Sequence, residues 1–292
     1  MKRSIAVTVL VENASDRTDL GSEHGLAYWI EWGDRRVMFD TGQSDLVMRN
    51  ARVLGIDVSR AEAIVLSHGH YDHTGGLGAV LGEAREAKVF IHRAGLEAKY
   101  SRHGDGSRHA VGMPQSSRDA LARHVGEQTL MEGPTEIVKG LHATGAVPRE
   151  TGYEDTGGAF YLDEACTRED PLLDDQALYF SCSEGTVVVL GCAHAGVVNT
   201  LEYVQRLTEG EPIFAVVGGM HLHSASAGRL KATVEAIREL KVQLIAPAHC
   251  TGLGATTLLR EEFLGQFAAC HAGSRFVFEE VMTGTTEPDA GT

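Results

Sequence analysis

The sequence is short of basic side chains. Its 292 residues include 26 lysines and arginines against 40 aspartates and glutamates, which gives a formal net charge of −14 with neutral histidines. A surface this acidic repels phosphate backbones and anionic lipids, and the sequence contains no obvious basic groove. We therefore expect neither nucleic acid nor a membrane as a partner, and predict a small-molecule substrate. The oligomeric state stays open.

Cysteine is also scarce, and long apolar runs are absent. The five cysteines are odd in number and have no repeating spacing, which favours free thiols in a reducing compartment. The apolar run near the N-terminus is broken at Glu12, is too short to cross a bilayer and precedes no small-residue cleavage site. These absences predict a cytoplasmic protein. The remaining composition, 43% hydrophobic and 23% charged, excludes a disordered chain or a disulfide scaffold.

Short β-branched segments alternate with helical patterns along most of the chain, which predicts one α/β domain over residues 1–292 with two sheets packed together and helices outside. Between about 94 and 154 the pattern weakens to one helix near 118–125. We expect an irregular insertion or lid there, with a plain surface excursion as the alternative. Elsewhere strands are predicted at 4–11, 27–32, 35–40, 63–66, 88–92, 177–181, 186–190, 213–217, 242–246 and 275–281, and helices at 45–54, 75–83, 226–240 and 256–267.

The segment SHGHYDH, at the end of a short apolar strand, is the strongest chemical signal. In an extended segment His68, His70 and Asp72 would project from one face, with His73 at the following turn. Imidazole nitrogens and a carboxylate suit Zn²⁺, and also Mn²⁺ or Fe. Because the adjacent Asp72 and His73 do not easily reach the ion that His68 and His70 bind, two ions are the economical prediction. A solvated polar loop is the alternative.

Two further histidines follow strands in the same way. His194 and His249 each come shortly after a β-branched strand and before a glycine. Three strand ends of this kind place imidazoles at one rim of a sheet, so both residues are candidate metal ligands. For each of them a buried structural histidine is the alternative.

The motifs together resemble those of the metallo-β-lactamase superfamily over roughly residues 4–282. Within it they resemble the branch of the dihydropterin-methyl-ribofuranosylaminobenzene phosphate synthases. The resemblance implies an αββα four-layer sandwich of two mixed sheets flanked by helices. It also implies two divalent ions, most often Zn, with Mn or Fe as alternatives. The motifs that carry the resemblance are LVEN, EHGLAYWIE, FDTGQSDL, LSHGHYDHTGGL, TGAVPR, GCAHAGVVNT, GGMHL and PAHCTG.

The same resemblance implies a ligand set and supporting residues. Asp40 in FDTG would support the site from behind its ligands. Asp72 would also act in catalysis by holding the attacking water. The implied ligands of the first ion are His68, His70 and His194, and those of the second ion are Asp72, His73 and His249.

Two positions depart from the superfamily pattern. The stretch 174–176 reads Asp-Asp-Gln where a histidine is usual, so His194 would replace that histidine. Cys192 stands where many members have a bridging aspartate, and it either binds the second ion or flanks it. A mononuclear site is therefore an open alternative.

Three more side chains are candidates for contacts with substrate. His221 in GGMHL would bind an oxyanion or act as a general acid, with a structural role as the alternative. Arg149 in TGAVPR would pair with a phosphate or carboxylate, with an ordinary surface position as the alternative. His24 in EHGL has no assigned role.

The predicted function is metal-dependent hydrolysis of a small-molecule ester, lactone or phosphoester by activated water. The alternative is a metal-dependent transferase or synthase that acts on a phosphorylated or pterin-like substrate and requires a second substrate. A di-iron redox or sensor protein is a third, weaker hypothesis.

Overall fold

The computed structural model describes residues 4–280, so residue 281 of the last predicted strand lies outside the described range. The strands in this range are β1 (Ser4–Val11), β2 (Ala27–Trp32), β3 (Arg35–Phe39), β4 (Ala63–Val65), β5 (Lys88–His92), β6 (Tyr100–Arg102), β7 (Arg108–Ala110), β8 (Gln128–Met131), β9 (Thr135–Val138), β10 (Leu141–Ala143), β11 (Phe160–Tyr161), β12 (Ala177–Cys182), β13 (Gly185–Leu190), β14 (Ile213–Gly219), β15 (Leu244–Ala248) and β16 (Arg275–Glu279). The α-helices are α1 (Leu46–Val53), α2 (Tyr71–Thr74), α3 (Leu77–Glu83), α4 (Gln115–Arg123), α5 (Val197–Leu207), α6 (Ala227–Glu239) and α7 (Leu253–Glu262).

These strands form two large mixed sheets and one small sheet. The first sheet has the order β16-β1-β2-β3-β4-β5-β8, and its strands run parallel from β3 to β8. The second has the order β15-β14-β13-β12-β10-β9, with β13, β14 and β15 parallel. The small sheet, β11-β6-β7, is antiparallel and shares no strand with the other two.

Alternating side chains pack the two large sheets face to face. In β2, Tyr28 and Ile30 enter the core between the sheets, whereas Trp29 faces the helices on the other side. In β13, Val187 and Val189 face the same central core, and Val188 faces outward. Helices α1, α3 and α4 cover the outer face of the first sheet, and α5, α6 and α7 cover that of the second. The predicted αββα four-layer sandwich is confirmed.

Residues 94–154, predicted to form an irregular insertion or lid, do not form one continuous insertion. β8 pairs with β5 at the edge of the first sheet, and β9 and β10 extend the second sheet. Leu121 of α4 belongs to the core under the first sheet. Because edge strands are short and partly exposed, their side chains lack a clear apolar alternation. The polar hairpin of β6 and β7 leaves the sandwich and forms the small sheet with β11.

Two other differences concern helices. α5 follows β13 directly and was not predicted, although its residues Leu201 and Val204 are buried against the second sheet. The helix predicted at 75–83 corresponds to α3, and the short helix α2 that precedes it was not predicted. No helix within residues 4–280 combines the length and the apolar character that crossing a bilayer requires.

Candidate metal centre

The predicted site residues lie where parallel strands end at one edge of the sandwich. Four residues just beyond these ends have a left-handed backbone: Asp40 (φ 60°), Ala193 (φ 54°), His221 (φ 45°) and His249 (φ 51°). This conformation is costly for any residue except glycine, and its concentration at strand ends is typical of functional sites. Each one turns the chain sharply next to the site.

His68, His70 and His194 form a buried cluster of imidazoles. Their ring centroids lie 4.6 to 4.9 Å apart, and His68 Nε2 is 3.0 Å from His70 Nδ1. Burial lowers the pKa of His70 to about 3 and lowers those of His68 and His194, so the rings are neutral near pH 7 and keep their lone pairs. The Nε2 atoms of His70 and His194 are buried without a hydrogen-bond partner. Converging neutral imidazoles with unused lone pairs fit a divalent ion.

A second cluster lies beside the first and contains a carboxylate. Asp72 Oδ2 is 3.1 Å from His249 Nε2 and 3.2 Å from His24 Nε2. His73 Nε2 is 3.3 Å from His249 Nε2 and 3.7 Å from Asp72 Oδ2. Imidazole nitrogens and one carboxylate oxygen therefore converge, and His24, which had no assigned role, joins them.

Asp72 reaches the second cluster by a different route from the one predicted. The extended backbone ends at His70, and the Thr74 amide donates to the His70 carbonyl over 3.1 Å in the turn of α2. The prediction that His68, His70 and Asp72 project from one extended face is therefore wrong. The helical turn directs Asp72 toward His249 instead, which agrees with the ligand set that the resemblance implied.

The thiol of Cys192 lies between the two clusters. Its Sγ is 3.1 Å from His73 Nε2, and the residue is 2% exposed. It places a ligand atom within 4.8 Å of those of His68 and His194, and likewise of those of His73 and His249. Among residues 4–280, Cys192 is thus within reach of both sets of ligands, where the sequence had placed it at the second ion alone.

Asp40 holds His73 from behind. Its Oδ2 lies 2.7 Å from His73 Nδ1 and also accepts from the Ser67 hydroxyl over 2.7 Å, while Oδ1 accepts from the Ser67 amide. Burial alone would lower the pKa of His73, but the carboxylates of Asp40 and Asp72 raise it to about 9. The position of Asp40 matches the supporting role that the resemblance implied.

Two other imidazoles are oriented in the same manner. The Nδ1 of His194 donates to the Thr156 carbonyl over 2.8 Å, which leaves its Nε2 as the atom facing the site. The Nδ1 of His249 lies 2.8 Å from Asn13 Oδ1, and the Glu12 carboxylate accepts from the His249 amide over 2.6 Å. Such contacts fix the tautomer and the ring orientation of metal-binding histidines.

A buried ion network supports the loop of His68 and His70, and no local sequence pattern indicates it. The Lys99 ammonium lies 2.7 Å from Asp170 Oδ2 and 2.9 Å from Asp174 Oδ1. Asp174 Oδ2 accepts from the Gly69 amide, between the two histidines of the loop, over 2.7 Å. All three charged side chains are buried. Lys99 has no neighbours in sequence that mark it, so only the fold brings it to Asp174.

The next two residues of the Asp-Asp-Gln stretch support other parts of the site. Asp175 Oδ2 accepts from the Ala195 amide over 2.8 Å, beside His194. Gln176 Nε2 donates to the Leu66 carbonyl over 2.8 Å at the end of β4. Burial raises the pKa of Asp175 to about 7. The superfamily pattern has a metal ligand at this stretch. In this chain the side chains of the stretch instead hydrogen-bond to the backbone next to His68, His70 and His194.

His221 borders the first cluster. Its ring centroid is 4.2 Å from that of His194, and its buried Nδ1 has no hydrogen-bond partner. It also places a ligand atom within 4.8 Å of those of Cys192 and Cys250. The catalytic role of His221 stays a prediction.

The five cysteines are free thiols, as predicted.

Arg149 does not occupy the position predicted for it. Its Nη2 donates to the His194 carbonyl over 2.5 Å, and the residue does not line the cavity over the clusters. The guanidinium therefore supports the backbone of a ligand loop, and its predicted contact with a substrate phosphate or carboxylate is not supported.

A cavity of about 860 Å³ opens over both clusters. One wall is the small sheet: the Phe160 ring lies 4.9 Å from that of His70 and 5.2 Å from that of His194. The hairpin of β6 and β7 forms the outer part of this wall with Arg102 and His103 among its lining side chains. The volume suits a drug-sized organic molecule.

Several known proteins are similar to this chain. A protein of Methanocaldococcus jannaschii named 7,8-dihydropterin-6-methyl-4-(beta-D-ribofuranosyl)-aminobenzene-5'-phosphate synthase is 27% identical over 94% of this chain and 97% of its own length. An uncharacterized protein of the same organism is 30% identical over 91% of this chain and 98% of its own length.

A solved structure described as a metal-dependent hydrolase of the beta-lactamase superfamily is 33% identical. It superposes with a TM-score of 0.80 over 94% of this chain and all of the other. The profile of the metallo-beta-lactamase superfamily matches residues 20–249, which include all the histidines of both clusters. On this match and on its fold, the chain belongs to the metallo-beta-lactamase superfamily.

Proposed function

We propose that the protein is a metal-dependent transferase or synthase that acts on a phosphorylated or pterin-like small molecule. The observation that carries the proposal is the match, over nearly the full length of both chains, to the relative named 7,8-dihydropterin-6-methyl-4-(beta-D-ribofuranosyl)-aminobenzene-5'-phosphate synthase. The two clusters and the cavity above them support an enzymatic role. The hydrolase that the sequence favoured is kept as the second candidate.

The residues of the two clusters described above would hold the metal ions. The first ion would bind to His68, His70 and His194, and the second to Asp72, His73 and His249, with Cys192 within reach of both. The unpartnered Nε2 of His194 and the neutral state of its ring support this assignment. Zinc is our first expectation, with manganese or iron as alternatives. A bound divalent ion acts as a Lewis acid and lowers the pKa of bound water to about 7.

The side chains around these ligands would position the reactants. Asp72 contacts both His249 and the half-exposed His24, so its carboxylate borders the cavity as well as the second cluster. His221 presents an imidazole beside the first cluster, where it would hold a developing negative charge or donate a proton. Phe160 provides an apolar surface that excludes water next to His70 and His194.

A hydrolase has its own supporting observation. The structural neighbour described as a metal-dependent hydrolase is 33% identical and superposes over its whole length. The same metal ligands would serve the hydrolysis of an ester, a lactone or a phosphoester, because a bound divalent ion would activate water as well as polarise the bond that breaks.

One experiment separates the two candidates. The metal content of untagged protein is measured first, and the loaded enzyme is then given an aryl ribofuranosyl 5'-phosphate together with an activated 6-hydroxymethyl-dihydropterin. A product that joins both molecules, and that forms only when both are present, supports the synthase. In parallel, generic ester, lactone and phosphoester substrates are offered in ¹⁸O-labelled water. Incorporation of ¹⁸O without any joined product supports the hydrolase, and absence of bound metal after reconstitution overturns both.

The proposal also covers the binding partners of the protein and its cellular location. The acidic net charge of −14 supports a small molecule over nucleic acid or an anionic membrane. The five buried free thiols support a reducing compartment such as the cytoplasm.

A further inference from the structure

Three side chains with sulfur or nitrogen donors occupy equivalent positions on the second sheet. Cys192, His221 and Cys250 each lie two residues beyond the end of a strand. The three strands, β13, β14 and β15, are parallel neighbours in the sheet. Because parallel strands direct their carboxyl ends to the same edge, the three side chains meet there. His221 and Cys250 belong to neither of the two clusters, so this meeting point has no role in the proposed function beyond the one suggested for His221.

The three side chains converge closely enough to share one ion. Each of them offers a ligand atom that lies within 4.8 Å of the ligand atoms of the other two. Two donors that bind one Zn²⁺ at about 2.0–2.3 Å are separated by at most about 4.6 Å. The spacing is therefore close to that of a bound ligand set, and small side-chain movements would complete it.

Gly219 makes this convergence possible. It is the last residue of β14, and a Cβ at this position would lie 2.7 Å from Cys250 Sγ and 3.3 Å from Cys192 Cα. The space that a side chain would fill is occupied by the Cys250 thiol, whose Sγ lies 3.6 Å from the Cys192 carbonyl oxygen. A larger residue at this position would displace the Cys250 thiol from its place beside Cys192.

His221 carries an unused nitrogen in the same place. Its Nδ1 is buried and has no hydrogen-bond partner, and the residue is only 7% exposed. Burial of a ring nitrogen without a partner is unfavourable, and coordination of a cation by this nitrogen would satisfy it. The unused nitrogen is independent of the two thiols, and it points to the same kind of ligand.

The donor set favours a thiophilic cation. Two thiols and an imidazole lie together with no carboxylate in their group, and sulfur donors prefer ions such as Zn²⁺ and Cd²⁺ to Mg²⁺ or Mn²⁺. On binding, each thiol would release its proton to solvent, so that two thiolates balance the charge of a divalent ion. Charge balance is needed here because Cys192 and Cys250 are buried. All three side chains line the cavity, which gives an ion access to them.

We propose that Cys192, His221 and Cys250 form a third metal site, which binds a thiophilic divalent cation. The site differs from both clusters in having two thiolates, since within residues 4–280 Cys192 is the one cysteine grouped with the cluster histidines. An ion bound there would compete with the clusters for Cys192. The site would therefore make the metal centre sensitive to thiophilic metals.

The test is ¹¹³Cd nuclear magnetic resonance of the protein titrated with ¹¹³Cd²⁺ in the presence of a phosphine reductant. A cadmium ion bound by two thiolates resonates well downfield of one that has a single thiolate or only nitrogen and oxygen donors. Wild type should show this downfield signal, and Cys250→Ser should lose it. Cys270→Ser is the control and should keep the signal, because Cys270 is a buried free thiol that belongs to no group of potential ligands within residues 4–280.

His221→Gln distinguishes a three-ligand site from a simple pair of thiols. This variant should keep the two-thiolate signal but shift it, because an imidazole nitrogen is replaced. An unshifted signal would remove His221 from the site and overturn the proposal.

Two other results would also overturn the third site: absence of a two-thiolate signal from folded wild type, and persistence of that signal in Cys250→Ser. If Cys250→Ser does not fold, the spectrum of wild type decides, since Cys192 and Cys250 are the one pair of cysteines that share a group of potential ligands in the described part of the chain. None of these measurements depends on turnover. Failure of the synthase or hydrolase assays would therefore leave the third site standing.

Discussion

The Oδ2 atom of Asp40 lies 2.7 Å from Nδ1 of His73, with both side chains fully buried. The same oxygen accepts from the Ser67 hydroxyl, so one carboxylate connects the end of β3 to the loop that begins the first cluster. The contact turns His73 Nε2 toward Cys192 and His249. The second cluster is thus held in shape by a residue that does not itself face the cavity.

Replacement of Asp40 by Asn should weaken metal binding about tenfold to a hundredfold, because an amide cannot serve both His73 and Ser67 as the carboxylate does. Competition with a chelator of known affinity measures the effect. Asp16→Asn is the matched control, since Asp16 also lies 2.7 Å from an imidazole nitrogen, that of His271, but is 79% exposed. Unchanged metal affinity in Asp40→Asn would show that the contact does not orient the ligand.

Cys192 should contribute a thiolate to the metal centre. Cobalt-substituted wild type is expected to show a sulfur-to-cobalt charge-transfer band in the near ultraviolet, and Cys192→Ser should lose it. Cys270→Ser serves as the control, because Cys270 is also a buried free thiol but belongs to no group of potential metal ligands within residues 4–280. If the band persists in Cys192→Ser, or disappears in Cys270→Ser, the assignment of the ligand is wrong.

Lys99→Met should lower the free energy of unfolding by about 3–5 kcal/mol, because it leaves the carboxylates of Asp170 and Asp174 buried without their cation. Lys88→Met is the control: Lys88 and Glu127 form an ion pair of the same 2.7 Å length, but both side chains are more than half exposed. That change should cost about 0–1 kcal/mol. Denaturant unfolding of both variants measures the difference, and similar losses would contradict a special role for the buried network.

The pH dependence of stability should change in Asp175→Asn. Burial raises the pKa of Asp175 to about 7 in the folded protein, against about 3.9 when unfolded. The folded state therefore holds the proton more tightly, so this stabilisation is complete below about pH 4 and is lost as the pH rises through about 7. Relative to Asp175→Asn, the free energy of unfolding of wild type should fall by about 2–3 kcal/mol between pH 5 and pH 8.

Chemical denaturation of chelator-treated protein across that range tests the prediction, since a bound cation would itself shift the titration. Parallel curves for wild type and Asp175→Asn would mean that Asp175 titrates as an exposed carboxyl does.

The sequence predicted the sandwich and most residues of the two clusters because the relevant signals are local. Alternating β-branched segments define strands such as β2 and β13, and both are confirmed. His194 and His249 could be predicted because each follows a strand and precedes a glycine. The direction of Asp72 could not be, since it depends on where the extended backbone changes to the helical turn of α2.

Features that depend on contacts between residues far apart in the sequence were not predicted. Lys99 and Asp174 are 75 residues apart, and neither has a local pattern that would join them. β8 has mixed polar residues and becomes a strand through its pairing with β5. Arg149 was a candidate because it lies in a motif, but its contact with the His194 carbonyl depends on the fold. Phe160 likewise reaches the cavity through the packing of the small sheet on the first cluster.

The small sheet takes no part in either large sheet, although it forms one wall of the cavity. Insertions or replacements in its hairpin can therefore alter which molecules enter while both large sheets keep their strands. During evolution, a lineage with this architecture can diversify its substrates by exchanging about ten residues of one hairpin, while selection on the histidine clusters stays constant.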